Sequence, residues 1–172
     1  MADAEIKIYE FSHMKMHDDL VHGIFTRAGG SSTEPFDSLN VGLNSGYEFD
    51  AVTANRKRII WKMGMKPLVF LNQVHGDEIQ VLKKEDNDLS EIFEPGKETY
   101  TADGIVTDMP GIFLVVQVAD CQAVLLYDPV RKVVANVHSG WRGSINNIIG
   151  RCVDVMVNDF YCRAEDILAG IS

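Results

Sequence analysis

Four short runs rich in valine, isoleucine and leucine constrain this chain most: Gly104–Thr107, 112–118, 123–127 and 133–137. Turn formers separate them at Met109-Pro110-Gly111 and Asp128-Pro129. Runs this short and this β-branched suit strands better than helices, and their near-continuous apolar character predicts adjacent strands of a buried sheet. Residues 68–74 and 78–82 add two further strands around a turn at His75-Gly76.

Two segments carry a helical period instead. Across 50–63, Val52, Ile59, Ile60 and Met63 recur at near-helical spacing before Gly64, and the other face offers Asn55, Arg56, Lys57 and Arg58 to solvent. From Ser144, a plausible N-cap, to about Phe160, the spacing of Ile145, Ile148, Ile149, Cys152 and Met156 predicts a second amphipathic helix. Cys152 and Cys162 both fall in that helical region, ten positions apart and on different faces, and both read as structural thiols. Residues 83–100 are charged and broken by Pro95-Gly96, a surface excursion. The expected class is α+β, a mixed β-sheet core flanked by helices.

A length of 172 residues with 46% apolar and 24% charged side chains suits one soluble domain, 1–172. The net charge of −9 argues against nucleic acid and against anionic membranes as partners. The run 112–118 is too short to span a bilayer, and MADAEIKIYE has acids where a secretory signal needs a basic start, so the cytoplasm is expected. Three cysteines at 121, 152 and 162 match neither a disulfide framework nor a paired-cysteine metal knuckle. His13, His17 and His22 carry no spacing signal.

Chemistry is expected where apolar runs end. His75, Cys121 and His138 each close or interrupt such a run among small residues, in the words LNQVHG, VADC and NVHSGWRG. Two imidazoles and a thiolate brought together make a three-ligand site for a soft or borderline metal, with a fourth position open to water or substrate. Taken singly, a His beside Gly is more often a turn residue and a Cys between strands an inert core thiol. Gln73, Gln117 and Asp120 lie in or beside otherwise apolar runs and are candidates to support the ligands from behind. Residues 139–143, with Arg142 at the start of a helix, suit a phosphate or another anion. The alternative there is a tight turn with Trp141 as packing anchor and Arg142 in an ion pair. Arg56 is a second anion candidate.

The ordered words LNQVHG, TADGIVTD, VADCQAVLLYD and VANVHSGWRG, with TRAGGSS, SLNVGLNSG and Asn55-Arg56 earlier, resemble the family of laccase-like polyphenol oxidases understood as purine nucleoside phosphorylases. The resemblance covers nearly the whole chain. It implies a layered α/β/β/α fold similar to the cytotoxic-necrotising-factor-like cysteine hydrolases, and an active centre of His75, Cys121 and His138 able to hold zinc. It further implies phosphate binding by Arg56, with Arg142 a second clamp, and substrate contacts from Asn40 and Asp103, for both of which the alternative is a residue that stabilises a turn. The implied reaction is phosphorolysis of purine nucleosides, with zinc-assisted adenosine deamination beside it, and the expected state is a monomer.

Three other readings stand beside this one. A copper-dependent phenol oxidase is compatible with the ligand types, but needs a further imidazole-rich cluster, and the chain has five histidines, three of them near the start. A metal-free hydrolase would use Cys121 as nucleophile with His75 or His138 as base. A structural zinc site would be no enzyme at all. The chain departs from the family pattern at Ser139, where alanine is usual, and at Asn44, where many relatives carry histidine. The family also continues beyond Ile171-Ser172, so the chain is expected to lack its C-terminal part, with sheet edge and apolar surface exposed.

Overall fold

The computed structural model describes residues 5–43, 49–84, 98 and 100–172. Asn44 and most of the charged 83–100 segment, Pro95-Gly96 included, lie outside the described residues. Those up to Pro67 form one compact unit and those from Leu68 a second.

In the first unit, strands β1 (Ile8–Tyr9) and β2 (Ile24–Phe25) pair antiparallel, and helix α1 runs Phe49–Lys62. Asp50 in its first turn and Lys62 in its last complement the helix dipole. The face expected in solvent is partly the buried one. Val52, Asn55, Arg56 and Ile59 form the inward stripe, and Asn55 and Arg56 are both 0% exposed. Spacing decided this over polarity, because positions i, i+3, i+4 and i+7 share a face whatever they carry. The neighbouring loop supplies the partners that make the burial tolerable. The Asn55 amide donates to Ser32 Oγ (3.0 Å), Ser38 O (3.0 Å) and Asn40 O (2.8 Å), and its oxygen accepts from the Ser31 N–H at 2.8 Å. Arg56 Nε donates to Val41 O at 2.8 Å.

The second unit contains two sheets. Its strands are β3 (Leu68–Asn72), β4 (Ile79–Leu82), β5 (Tyr100–Thr101), β6 (Gly104–Thr107), β7 (Phe113–Val115), β8 (Gln122–Asp128), β9 (Val133–Ser139) and β10 (Leu168–Ile171). Five form a mixed sheet in the order β10-β8-β9-β6-β4, in which β4 runs parallel to β6 and the other neighbours are antiparallel. The remaining three form a parallel sheet, β5-β3-β7. The run 112–118 therefore leaves the sheet that its neighbours share, because Phe113–Val115 pairs with β3 and not with β6 or β8.

Strand β6 shows how the layers stack. All four of its residues are buried, and alternation sends Val106 toward a cluster with Val124, Val137, Ile148, Cys152 and Met156 while Ile105 joins Val69, Leu71, Leu82 and Met109. The five-stranded sheet is thus covered by a helix on one face and by the parallel sheet on the other. The class is mixed α+β, as the patterning predicts.

The expected single helix from Ser144 is two. Helix α2 covers Trp141–Ile145 and α3 covers Ile148–Phe160, with Asn147 between them at φ 55. Asparagine tolerates the left-handed region, and its side chain caps α3 by accepting from Gly150 N. Gly140, not a serine, is the N-cap of α2. From α3, Ile148, Cys152, Met156 and Phe160 project inward at four-residue spacing. Cys162 lies beyond the helix, which ends at Phe160, yet it is 4% exposed and belongs to the same core. No described helix is long and apolar enough to cross a membrane.

Candidate metal centre

Three connections step from the parallel sheet to the five-stranded one: β3 to β4, β5 to β6 and β7 to β8. Because β5 and β7 both run parallel to β3, all three leave from the same end of that sheet, the carboxyl end, where α/β architectures place their sites. The first connection carries His75, the second Asp103 and the third Cys121. His138 comes to the same place as the penultimate residue of β9, paired in register with Ala123 just after Cys121.

The trio read from the sequence converges. The ligand atoms of His75, Cys121 and His138 all lie within 4.8 Å of one another, and the two imidazole rings meet edge to face with centroids 4.8 Å apart. Their environments differ. His138 is 3% exposed, Cys121 is half-buried and His75 is exposed, so the centre is rooted in the sheet and opens to solvent on the His75 side. His75 sits at φ 59, a left-handed conformation that aims its ring back toward the strand ends.

Gly140 fills the space between the three. A Cβ there would stand 3.2 Å from His75 Cδ2, 3.3 Å from Cys121 Sγ and 3.8 Å from His138 Cε1. Its φ of −75° is open to any residue, so closeness and not conformation is what calls for glycine. Gly143 plays a related part, since a Cβ there would come within 3.1 Å of Gly76 O, which seats the His75 turn against α2. Arg151 on α3 pairs with Asp77 just beyond that turn.

Asp103, expected to touch substrate, is instead 0% exposed and stands behind the imidazoles. Its Oδ1 lies 2.8 Å from His138 Nδ1 and accepts from His75 N at 3.0 Å, while Oδ2 accepts from Gly76 N at 2.7 Å and Val74 N at 3.2 Å. Burial pushes its carboxyl up, but the bonds from His138, Gly76 and Val74 outweigh that and hold it below the ordinary carboxylate value. The sequence signal for this role is an acid inserted at the head of a fully buried strand, where only a satisfied charge is tolerated.

The remaining candidates are placed as follows. The Gln73 amide bonds Gln117 through both of its ends, donating to Gln117 O at 2.8 Å and accepting from Gln117 N at 2.7 Å, so it ties the ends of β3 and β7 together and does not brace a ligand ring. Asp120 is exposed. Trp141 is 67% exposed and is no packing anchor; Arg142, also exposed, lies over its ring at 5.1 Å. In the first unit, Asn40 Oδ1 accepts from Gly42 N at 3.1 Å and so stabilises its own turn, and Arg56 is buried as described.

The donor set fits a metal. Two imidazole nitrogens and one sulfur is a ligand combination suited to zinc, and three protein ligands with one open side is the pattern of a catalytic rather than a closed structural site. The carboxylate hydrogen-bonded to the rear of His138 adds the outer partner that metal-bound histidines have.

The chain is similar to known proteins. Residues 21–172 match the family model described as multi-copper polyphenol oxidoreductase laccase. A purine nucleoside phosphorylase of Deinococcus radiodurans is 37% identical over 152 residues, 87% of this chain and 54% of that protein. One of Mycobacterium bovis is 36% identical over 135 residues, 77% of this chain and 50% of the relative. The crystal structure of YlmD from Geobacillus stearothermophilus is similar at a TM-score of 0.81 and 31% identity, over 91% of this chain and 58% of that one. That of the hypothetical protein YfiH from Bacillus licheniformis is similar at a TM-score of 0.78 and 35% identity, over 87% and 56%. The chain spans about half the length of the curated relatives it matches. With its ordered motifs, its layered sheets and 152 residues matched, this chain belongs to the multi-copper polyphenol oxidoreductase laccase family.

Proposed function

We propose that this chain carries the metal centre of a purine nucleoside phosphorylase, in which His75, Cys121 and His138 hold zinc. The observation that supports the reading most is the convergence of those three side chains around Gly140, in a chain whose relatives bear that name. In phosphorolysis the bond from the ribose anomeric carbon to the purine nitrogen breaks, its electron pair leaves with the purine, and a phosphate oxygen bonds to the carbon. Adenosine, inosine, guanosine and methylthioadenosine all present that bond.

Residues of this chain serve the reaction by binding and orientation. Arg142, exposed two positions after Gly140, offers a planar guanidinium to phosphate, and lies over the Trp141 ring at 5.1 Å. The family resemblance gives Arg56 a phosphate role as well, and the phosphate KM of Arg142→Ala against that of Arg56→Ala separates the two assignments. Deamination of adenosine is the second proposed activity. Bound zinc supplies a Lewis acid that makes water nucleophilic near neutral pH, the chemistry used at the purine six-position by zinc deaminases. His138 in β9 and Cys121 just before β8 would hold that group, and exposed His75 would leave its side open to a nucleoside.

Copper is compatible with the same three donors. Among the described residues one such group of three converges, whereas dioxygen reduction requires a further imidazole cluster. His22 is occupied elsewhere, accepting from the Phe11 N–H at 2.8 Å.

The test is incubation of the zinc-loaded chain with inosine in the presence and absence of phosphate. Ribose 1-phosphate and hypoxanthine formed only with phosphate is the expected result. Base release at the same rate without phosphate would overturn phosphorolysis, and a metal analysis finding copper in preference to zinc would favour the oxidase.

A further inference from the structure

We propose that Asp103 is the positioning residue of the His-Cys-His centre: one buried carboxylate that sets the tautomer of His138 and holds the backbone turn presenting His75. The inference rests on the metal reading of the three ligands and gives Asp103 no contact with substrate.

Counting donors carries the first part of the argument. A carboxylate offers about four acceptor sites on its two oxygens. Asp103 meets four donors, the His138 ring nitrogen and the consecutive backbone N–H groups of Val74, His75 and Gly76, at 2.7 to 3.2 Å. With no exposure to solvent, nothing is left over for a nucleoside or a phosphate.

The ring comes next. An ionised carboxylate only accepts, so His138 Nδ1 is the donor and carries the proton. The lone pair of the neutral ring is then on Nε2, which becomes the ligand atom. Without Asp103, nothing among the described contacts of this ring selects that tautomer.

The turn is the second half of the device. Three successive N–H groups converging on one anion form a cradle of the kind that binds anions, here filled by a side chain of the same protein. They stabilise a left-handed His75, a conformation unfavourable for a non-glycine residue. Asp103 is itself anchored independently of its carboxylate, since its carbonyl accepts from His138 N at 2.7 Å and its N–H donates to Glu78 O at 3.1 Å. Removing the carboxylate therefore leaves the strand pairing in place while freeing two of the three ligands.

Asp103→Asn tests this in the full chain. The amide keeps the shape but turns an NH2 group either toward His138 Nδ1 or toward the turn, so one set of donors loses its acceptor. Zinc affinity, measured by competition with a chromophoric chelator, is expected to fall roughly 10- to 100-fold, with circular dichroism of the metal-free protein unchanged. Nitrogen-15 imidazole spectra of the unmutated, metal-free chain are expected to show His138 protonated on Nδ1, and the variant to show mixed tautomers. A folded variant that holds zinc as tightly as the unmutated chain overturns the proposal, as does an Nε2-protonated His138 in the unmutated chain. If the variant does not fold, the tautomer in the unmutated chain decides alone. An unmutated chain that shows the Nδ1 tautomer but binds no zinc overturns the metal reading and, with it, this role.

Discussion

Gly140 packs so closely on Cys121 that a Cβ added to it would stand 3.3 Å from the sulfur, and 3.2 Å from the ring of His75. Few Cβ atoms approach neighbours that closely, so a side chain here would push the sulfur and the ring aside by a few tenths of an ångström. Gly140→Ala is expected to weaken zinc binding by on the order of tenfold with the melting temperature within a few degrees of the unmutated chain, since φ −75° and ψ 176° suit alanine. Chelator competition with parallel thermal melts measures both, and unchanged affinity would show that the ligands have room to spare.

The three thiols should separate by reactivity. Burial pushes Cys152 and Cys162 up to about 12, which leaves them almost entirely protonated at neutral pH, whereas Cys121 is half-buried at the opening of the centre. A thiol reagent is expected to modify one cysteine in the native metal-free chain and three after denaturation. Prior zinc should protect that one. Modification of Cys152 in the native chain would contradict the packing of α3.

His75 is the ligand least involved in the core, since it is exposed on a turn held through backbone groups. Replacing it with alanine should cost zinc affinity at least tenfold while the metal-free chain melts close to the unmutated protein. A collapsed fold in calorimetry would mean that the ring, and not only the turn, supports the structure.

Asp128 gives the fold a pH dependence of determinate sign. Burial raises its carboxyl, but bonds from the N–H groups of Arg131 (2.9 Å) and Val130 (2.7 Å) and from the Cys162 thiol outweigh this and hold it below its ordinary value. A folded pKa below the unfolded one means that the stabilisation is complete above about pH 4, the ordinary carboxylate value, and is lost as pH falls through the lower folded value. Asp128→Asn should therefore be destabilising at neutral pH, with the difference shrinking as the solution is acidified. Urea unfolding of both chains at several pH values measures it, and a difference independent of pH would remove Asp128 from the acid response.

Met156 is fully buried between α3 and the five-stranded sheet. Truncation to alanine removes buried methylenes and leaves a cavity, with an expected loss of about 2–5 kcal/mol in chemical denaturation. A loss well under 1 kcal/mol would mean that the helix collapses onto the vacated space.

Much of this was legible in the chain. Strand β6 falls on the adjacent β-branched residues Ile105, Val106 and Thr107, the helical period locates α1 and α3, and His75, Cys121 and His138 stand out because each closes or interrupts an apolar run. The misreadings share one origin. Asn55 and Arg56 look like solvent-facing residues until the loop from Ser31 to Val41 supplies their acceptors. The second helix looks continuous because Asn147 adopts its left-handed conformation only where capping α3 repays it. Asp103 looks like a substrate contact because the donors it satisfies lie 27 to 35 residues away.

The sequence by itself determined strands β3, β4 and β6 to β9, the class and the three residues that converge, since period, β-branching and turn formers act over a few residues. Only the tertiary structure decided that the strands divide into two sheets, that three crossings leave one end of the parallel sheet together, and that Asp103 stands behind the rings. Pairings such as Leu68 with Phe113 join residues far apart in the chain, and no local preference of either segment selects its partner. Burial and hydrogen bonding of the whole unit make that choice, and the chemistry of the site follows from it.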